Sequence, residues 1–317
     1  MIEARNLTKH YGPTVAVDDL SFTLTPGTVT GFLGPNGAGK TTTMRMILGL
    51  DAPTRGTVRV NGKPYRDLVS PLHEVGALLD AQALHGGRSA RSHLLCLAAS
   101  NGIPAGRVTD VLEIVGLASV AGRRSGGFSL GMSQRLGIAG ALLGDPGILI
   151  FDEPVNGLDP EGILWMRTMM KSLAAEGRTV LVSSHLMSEM AQTAGRLLVI
   201  GRGRLISDSS VEEFVAGSSG QSVLVHSPQA DELARLLSES GASVQSSEPG
   251  VLQVTGIDSA AVGELAAKSK VILHELTPVR ASLEEAFMEL TRDSVEYGAG
   301  PHRDAGGAKG EAGQVAR

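Results

Sequence analysis

The apolar positions of the chain follow two spacings, one typical of strands and one typical of helices. Residues 15–24 alternate between apolar and polar side chains, and residues 28–33 form a short apolar run with β-branched members, so both stretches predict strands. After a glycine-rich stretch at 34–42, apolar residues return at helical spacing over 44–48. The pattern therefore predicts a strand, a glycine loop and a helix in succession.

The middle of the chain continues with the same two spacings. From 89 to 143 the apolar spacing is mostly helical, which predicts a helical insertion at about 85–145. Two brief apolar runs follow at 148–151 and 179–182, separated by a helical stretch at 163–175. Short apolar runs flanked by turns are typical of buried parallel strands, so we expect an α/β fold.

A small, polar stretch at 216–220 predicts a linker between a first domain, residues 1–215, and a second, residues 221–292. The second domain is predicted to contain, in order, a strand at 222–226, a helix at 230–239, strands at 242–246 and 251–255, a helix at 259–267, a strand at 271–276 and a final helix at 282–291. The first six elements have the order of a ferredoxin-like fold. The final helix opens with Ser282 and Glu285 spaced as a capping box.

The last segment, residues 293–317, is predicted to be disordered. From 298 to 317, 11 of the 20 residues are Gly or Ala, and Val315 is the only branched aliphatic residue. Such a segment has too little apolar surface to offset the chain entropy that it would lose on ordering.

The composition narrows the class of protein. Of the 317 residues, 42% are hydrophobic and only 3% are aromatic, which suits a layered α/β core built from aliphatic side chains. The 33 Asp and Glu residues outnumber the 28 Lys and Arg residues, and the net charge is -5. Because an overall basic field is missing, we expect no nucleic-acid partner.

Further features of the sequence bear on disulfides, secretion and membrane insertion. The single cysteine, Cys96, permits no internal disulfide and is expected to pack in the core. The first residues show no basic-then-apolar leader. The best candidate for a membrane span, 136–151, is broken by Asp145 and Pro146. We therefore expect a chain that does not cross a bilayer by itself.

The glycine-rich loop fits a phosphate-binding motif. Residues 34–41 match G-x-x-x-x-G-K-[ST], in which small residues let backbone N–H groups surround a phosphate at the start of a helix. Lys40 would reach the β- and γ-phosphates, and the Thr41 hydroxyl would bind Mg²⁺. The predicted nucleotide-binding residues of the loop are Gly34, Pro35, Asn36, Gly37, Ala38, Gly39, Lys40, Thr41 and Thr42. The alternative interpretation is a glycine turn before an ordinary helix.

Two adjacent carboxylates follow the apolar run at 148–151. Side chains alternate along a strand and its exit, so Asp152 and Glu153 point in different directions and can do different chemistry. Asp152 would hold Mg²⁺, directly or through water, and Glu153 would polarise the attacking water as a general base. The alternative is an acidic pair in a solvated loop. The phosphate-binding motif earlier in the chain favours the catalytic interpretation over this alternative.

Five stretches together resemble the ATP-binding cassette (ABC) ATPases. Residues 34–42, 128–135, 148–154, 157–160 and 184–185 are similar to the phosphate loop, signature, second nucleotide motif, D-loop and switch histidine of that family, in the family's order. The resemblance covers about residues 2–215. It implies a P-loop NTPase fold of the ABC ATPase type: a mixed sheet core, an antiparallel β subdomain and a helical subdomain, followed here by a small C-terminal α+β domain.

The resemblance assigns roles to residues outside the loop. It implies a dimer in which Ser129 and Gly131 of one copy contact the γ-phosphate held by the other, while Asp159 orders the interface. His185 would contact the γ-phosphate, and Tyr11 would stack on adenine. Taken without their context, these residues would be a helix N-cap, a turn former, a structural histidine and a packed tyrosine.

Two departures from the family pattern affect these roles. The family's Q-loop glutamine, which helps to bind Mg²⁺ and contacts the membrane partner, aligns with Asp80. A carboxylate can still bind Mg²⁺, so Asp80 is a candidate ligand, with Gln82 as a possible substitute for the glutamine. The signature has Leu130 and Met132 where many relatives have Gly and Gln.

The signature and the segment 282–287 resemble the ATPase subunits of bacterial drug-export and related ABC-2 type transporters. The expected function is therefore ATP hydrolysis, with Mg²⁺, that powers export of a drug-like, lipid-like or polymeric substrate. The expected partners are a second copy of the chain and a polytopic ABC-2 type permease at the cytoplasmic face of the membrane. The alternatives are a soluble ABC ATPase that acts on a macromolecular complex, and a nucleotide-binding regulator without hydrolysis.

Overall fold

The computed structural model describes residues 1–217, 222–279 and 282–291. In the first of these ranges the strands are β1 (Ile2–Tyr11), β2 (Thr14–Leu24), β3 (Val29–Leu33), β4 (Arg55–Val60), β5 (Val75–Leu78), β6 (Ile148–Phe151), β7 (Thr179–Ser183), β8 (Arg196–Gly201) and β9 (Arg204–Ser210). The α-helices of the same range are α1 (Lys40–Ile47), α2 (Pro71–Glu74), α3 (Ala90–Ser100), α4 (Gly106–Ile114), α5 (Leu130–Leu142), α6 (Pro160–Ala175), α7 (Met187–Thr193) and α8 (Val211–Ala216).

These strands form two sheets. The larger sheet has the order β5-β6-β7-β3-β8-β9, in which β9 runs antiparallel to β8 and the other neighbours are parallel. The smaller sheet, β2-β1-β4, is antiparallel. The apolar pattern does not predict β1, because register shifts along its pairing with β2 interrupt the alternation of buried and exposed residues.

The parallel strands are buried on both faces. Along β6, Leu149 and Phe151 pack against the helices, whereas Ile148 and Ile150 pack toward the smaller sheet and α1. Each buried Leu, Ile or Phe side chain contributes about 1.5–3 kcal/mol of hydrophobic stabilisation. Because both faces need apolar side chains, the strand is an unbroken apolar run rather than an alternating one.

The helical insertion contains α3, α4 and α5, and its first helix corrects the prediction for Cys96. Ala90, Leu94 and Ala98 are spaced four residues apart and form the buried face of α3. Cys96, predicted to be in the core, lies away from that face and is exposed; its Sγ accepts a hydrogen bond from Arg88 at 3.5 Å. Helical spacing places position 96 about 200° from Leu94, so one helix cannot bury both.

The C-terminal part has its own sheet and core. Its elements are β10 (Ser222–His226), α9 (Ala230–Glu239), β11 (Ser243–Glu248), β12 (Val251–Thr255), α10 (Ser259–Lys268), β13 (Glu275–Val279) and α11 (Leu283–Thr291). The sheet is antiparallel, with the strand order β11-β12-β10-β13. Within the described residues, no helix has both the length and the apolar content that a membrane span requires.

The last strand of this sheet lies later in the chain than predicted. The prediction of a strand at 271–276 is wrong in position, because Val271 instead closes the end of α10, where its N–H donates to Ala266 O at 2.9 Å. Pairing with β10 begins at Glu275, opposite His226. The segment 293–317, predicted to be disordered, and most of the predicted linker at 216–220 lie outside the described residues.

Helix α11 returns to the first part of the chain. Glu285 accepts the Ser282 N–H at 2.7 Å, and the Ser282 hydroxyl accepts the Glu285 N–H at 3.1 Å, so the spacing predicted for a capping box forms one. Leu283 and Ala286 are buried in the same core as Phe214 of α8. The C-terminal part is therefore fastened to the first part through α11.

Candidate active site

The loop between β3 and α1 borders a cavity of about 310 Å³. The cavity is lined by Ala16, residues 36–42, Leu79, Asp152 and Glu153. Gly39, the residue before α1, has φ +102°, and a Cβ there would lie 2.4 Å from the carbonyl oxygen of Ala16. Only glycine fits this position, which aims the first N–H groups of α1 into the cavity.

Lys40 is the first residue of α1 and is only 8% exposed. Its Nζ donates to the carbonyl oxygens of Gly34 at 2.5 Å and Pro35 at 3.2 Å. Burial lowers the pKa of Lys40, and the carboxylates of Glu153 and Asp152 oppose that shift. An ammonium has three donors, so Lys40 can exchange carbonyl partners for phosphate oxygens.

Asp152 connects α1 to the central strands. Its Oδ2 accepts the Thr41 hydroxyl at 2.6 Å, and its Oδ1 accepts the hydroxyl of Ser183 at the end of β7. Within the described part of the chain no group of three or more His, Cys, Asp and Glu residues could hold a metal. Thr41 and Asp152 nevertheless supply hard oxygen donors, which fit Mg²⁺ because that ion usually takes few protein ligands and completes its shell with water and substrate phosphates.

Glu153 and His185 form a pair beside the cavity. The Nδ1 atom of His185 lies 2.7 Å from Glu153 Oε2, and the His185 N–H donates to the same oxygen at 3.4 Å. His185 follows β7, which is paired with β6, so the ends of two neighbouring parallel strands bring the two residues together. The carboxylate can accept a proton and the imidazole can orient it.

Two residues that hydrogen-bond to Glu153 were not predicted as site residues from the sequence. Ser183 Oγ accepts the N–H of Glu153 at 2.9 Å, and Gln134 Nε2 donates to the carbonyl oxygen of Glu153 at 3.3 Å. Glu153 has φ +49°, a left-handed conformation that is strained for a side chain of this size. Gln134 lies within the signature stretch 128–135, but nothing in the sequence shows that its side chain reaches Glu153, and a serine at the end of a strand is too common to be singled out.

The residues predicted to act across the dimer do not line the cavity of their own chain. Ser129 caps α5, with its Oγ accepting the Met132 N–H at 3.2 Å, and Asp159 caps α6, with its Oδ1 accepting the Gly162 N–H at 2.9 Å. Gly131 lies in the first turn of α5. Within one chain Ser129 is the helix N-cap of its alternative interpretation, and Asp159, whose alternative was a turn former, also caps a helix; contact with nucleotide would require a second chain.

Tyr11 lies at the end of β1, and the residue is 46% exposed. Its hydroxyl donates to Asp51 Oδ2 at 2.8 Å, and Lys9 Nζ lies 4.8 Å from the ring centroid. The hydrogen bond to Asp51 raises the pKa of the Tyr11 hydroxyl and helps to lower the pKa of Asp51, for which the hydrogen bond from Arg45 is the larger cause. The anchored, exposed ring is available for stacking.

Asp80 is placed just outside the cavity. It is exposed and accepts the Gln82 N–H at 2.8 Å, whereas its neighbour Leu79 lines the cavity. Gln82 lines a separate groove with Leu84, Phe128 and Leu130. The structure therefore brings Thr41 and Asp152 together as metal-binding candidates and leaves Asp80 apart from them.

Comparison with protein families gives two matches along the chain. A model described as "ABC transporter" matches residues 17–156, which include the phosphate loop, the signature and the acidic pair. A second model, described as "Domain of unknown function (DUF8746)", matches residues 221–284. The two matches fall on the two parts of the chain that have separate sheets.

Known proteins match this chain over about two thirds of its length or more. An "Uncharacterized ABC transporter ATP-binding protein YhcH" of Bacillus subtilis is 36% identical over 300 residues, covering 93% of this chain and 97% of that protein. The "Bacitracin transport ATP-binding protein BcrA" of Bacillus licheniformis is 43% identical over 211 residues, or 66% of this chain and 69% of that protein. A solved "Structure of ATP binding subunit of ABC transporter" aligns at TM-score 0.63 with 26% identity, over 68% of this chain and 92% of that one.

The fold and site define a P-loop ATPase in which a parallel sheet presents the acidic pair beside the phosphate loop. With 36% identity to a relative that it spans almost entirely, the chain belongs to the ABC transporter ATP-binding protein family. It is an ATP-binding ABC ATPase. The resemblance seen in the five sequence stretches and the fold class inferred from it are confirmed.

Proposed function

We propose that this chain hydrolyses ATP in a site shared between two copies, and that hydrolysis drives export of a substrate through a separate membrane subunit. The observation that most strongly supports this proposal is the 2.7 Å contact between Glu153 Oε2 and His185 Nδ1, beside the cavity of the phosphate loop. A carboxylate at this place can accept the proton of an attacking water, and an imidazole can hold that carboxylate and contact the γ-phosphate.

The reaction uses the residues that line the cavity. The loop N–H groups and Lys40 bind the β- and γ-phosphates, and Glu153 accepts a proton from a water molecule. As the water oxygen bonds to the γ-phosphorus, the bond to the bridging oxygen breaks and ADP leaves with its electron pair. Mg²⁺, held by Thr41 and Asp152, would neutralise charge on the same phosphates. The backbone N–H and ring Nδ1 of His185 keep Glu153 in place, and the ring would contact a γ-phosphate oxygen.

A second copy completes the site. Ser129 and Gly131 lie at the N-terminus of α5, where the helix dipole and free N–H groups favour an anion, yet neither residue lines the cavity of its own chain. Facing the phosphate loop of another copy, they would contact its γ-phosphate, with Asp159 at the interface. The proposed assembly is therefore two chains that enclose two ATP molecules.

The proposed membrane partner is a polytopic permease of the ABC-2 type, to which the dimer would attach at the cytoplasmic face. Relatives described as bacitracin transport, lantibiotic transport and Nod factor export ATP-binding proteins support a role in export. A drug-like, lipid-like or polymeric substrate would then be selected by the permease rather than by this chain.

Replacement of the proposed base tests the two-copy site. The Glu153→Gln variant should lose at least about 100-fold in kcat, because general-base catalysis contributes about that much or more, and it should remain dimeric in ATP. Phosphate release and size-exclusion chromatography with light scattering measure both effects. Glu264→Gln, an exposed position in the C-terminal part, is the matched control. Turnover at the wild-type rate would overturn the assignment of the base.

The membrane role has its own test. We expect the full chain to be recovered from detergent-solubilised membranes together with a polytopic membrane protein. Recovery from the cytosol with ribosomes alone would instead favour a soluble ABC ATPase.

A further inference from the structure

Helix α5, which begins in the signature, contacts the segment that carries the proposed base, Glu153. Gln134, in the second turn of α5, donates from Nε2 to the carbonyl oxygen of Glu153 at 3.3 Å. One residue further, the guanidinium of Arg135 lies 4.6 Å from the ring centroid of Trp165 in α6. The first contact joins α5 to the turn after β6, and the second joins α5 to α6, within one chain.

Close packing at the start of α5 adds to this connection. A Cβ at Gly157 would lie 2.4 Å from the Leu130 side chain, and a Cβ at Gly131 would lie 2.8 Å from the carbonyl oxygen of Gly157. Such approaches leave little freedom for the first turn of α5 to move without the turn after Glu153. The first turn of α5 and the turn that carries the base therefore behave as one packed unit.

The backbone of Glu153 depends on partners outside its own turn. Its φ of +49° is unfavourable for glutamate and persists only where neighbours hold it. Ser183 accepts its N–H at 2.9 Å from β7, and Gln134 donates to its carbonyl oxygen from α5. Gln134 is 3% exposed, so water cannot readily replace this hydrogen bond.

We propose that Gln134 is a positioning residue that couples the two ATP sites of the dimer. This inference rests on the proposed function: Ser129, five residues before Gln134 on α5, would contact the ATP held by the other copy. Five residues span about 7.5 Å of helix, so a shift of α5 when Ser129 engages that phosphate reaches the Glu153 carbonyl directly. Each copy's base would then be aligned when the partner's nucleotide is in place, which makes hydrolysis cooperative.

The test replaces Gln134 with methionine, which has a similar length but no donor. In the full-length chain we expect Gln134→Met to lower kcat about tenfold, to leave KM for ATP within about twofold of wild type, and to move the Hill coefficient for ATP toward 1. Phosphate release over a range of ATP concentrations gives all three values. Gln253→Met, which removes a side-chain hydrogen bond to Ser222 in the C-terminal sheet, should change none of them.

A second variant separates positioning from loss of structure. In Gln134→Glu, the new side chain accepts rather than donates when ionised and can donate only when protonated, so its kcat relative to wild type should rise as pH falls from 8 to 6. This recovery would identify the donor itself as the cause, even if Gln134→Met unfolds. A flat ratio for Gln134→Glu, or wild-type kcat and cooperativity in folded Gln134→Met, would overturn the proposal.

Failure of the underlying two-copy site gives a different result. A wild-type Hill coefficient of 1, together with a Glu153→Gln variant that stays monomeric in ATP, would exclude coupling between copies and with it this inference. Cooperative wild-type hydrolysis with unaltered Gln134 variants would refute the positioning role while leaving the shared site intact.

Discussion

At the scale of single residues, the site depends on polar groups that support the acidic pair. Ser183 donates to Asp152 and accepts the Glu153 N–H, so one hydroxyl contacts both acidic residues. Because a hydrogen bond that involves a charged group contributes about 1.5–3 kcal/mol, this hydroxyl fixes the position of the Asp152 carboxylate, and its bond from the N–H holds the backbone of Glu153. The two acids then face different partners, Thr41 and His185.

Lys40 yields a prediction about stability and pH. Burial lowers its pKa from the ordinary value of 10.5, so between the lowered value and 10.5 the unfolded chain binds a proton that the folded chain releases. The free energy of unfolding contributed by this group therefore rises with pH over that interval. We expect the wild type, measured against Lys40→Met, to gain stability as pH increases toward 10.5.

Urea denaturation followed by circular dichroism, without nucleotide and at a series of pH values, measures this difference. The exposed Lys268→Met serves as the matched control, because the Lys268 side chain is 76% exposed and lies 3.9 Å from Glu264 in a surface ion pair. If the difference in free energy of unfolding between the wild type and Lys40→Met does not change with pH, the prediction is contradicted.

At the scale of elements, β5 and α5 pack so closely that there is no room for a side chain at Gly76. A Cβ at Gly76 would lie 1.9 Å from the carbonyl oxygen of Ala141, a backbone atom that cannot move aside without displacing the helix. Gly76→Ala should therefore lower the free energy of unfolding by about 1–3 kcal/mol or more, measured by urea denaturation.

Gly147 provides the control for that substitution. It lies just before β6, and a Cβ there would meet no atom within 4 Å. Gly147→Ala should leave stability close to that of the wild type. Equal losses from the two substitutions would show that the close approach of β5 and α5 is not what determines the effect.

At the scale of the whole molecule, α11 joins two separately packed parts. The C-terminal sheet and its helices have their own core, whereas Leu283 and Ala286 are buried against the helices of the ATPase part. Helix α11 packs against α7, which begins two residues after His185, and against α8. A displacement of α11 can therefore move α7 and, with it, the loop that carries His185.

A charge placed in this contact should detach the helix. Leu283→Asp buries a carboxylate without a partner and should lower the free energy of unfolding by about 2–4 kcal/mol, with faster limited proteolysis of α11. Met288→Asp, at a position 65% exposed on the same helix, should change neither measurement. Unchanged proteolysis of Leu283→Asp would contradict the proposed attachment.

Local sequence predicted those elements whose burial leaves a regular apolar pattern along the chain. The strand at 148–151 has the predicted bounds because both of its faces require apolar side chains, and α9 has the predicted bounds 230–239 because its apolar residues follow one helical face. Register shifts interrupt the alternation of apolar and polar residues in β1, and the start of β13 depends on pairing with β10 much earlier in the chain, so spacing alone could not place either strand.

The sequence by itself determined the chemistry of the protein, because the phosphate loop, the acidic pair and the signature are short motifs whose residue types and order carry their function. The tertiary structure decided which groups meet: it turned Cys96 outward, placed Asp80 outside the cavity, and supplied Ser183 and Gln134 to hold the strained backbone of Glu153. These contacts join residues 19 and 30 positions apart, and only the packing of helix and strands brings such residues within hydrogen-bonding distance.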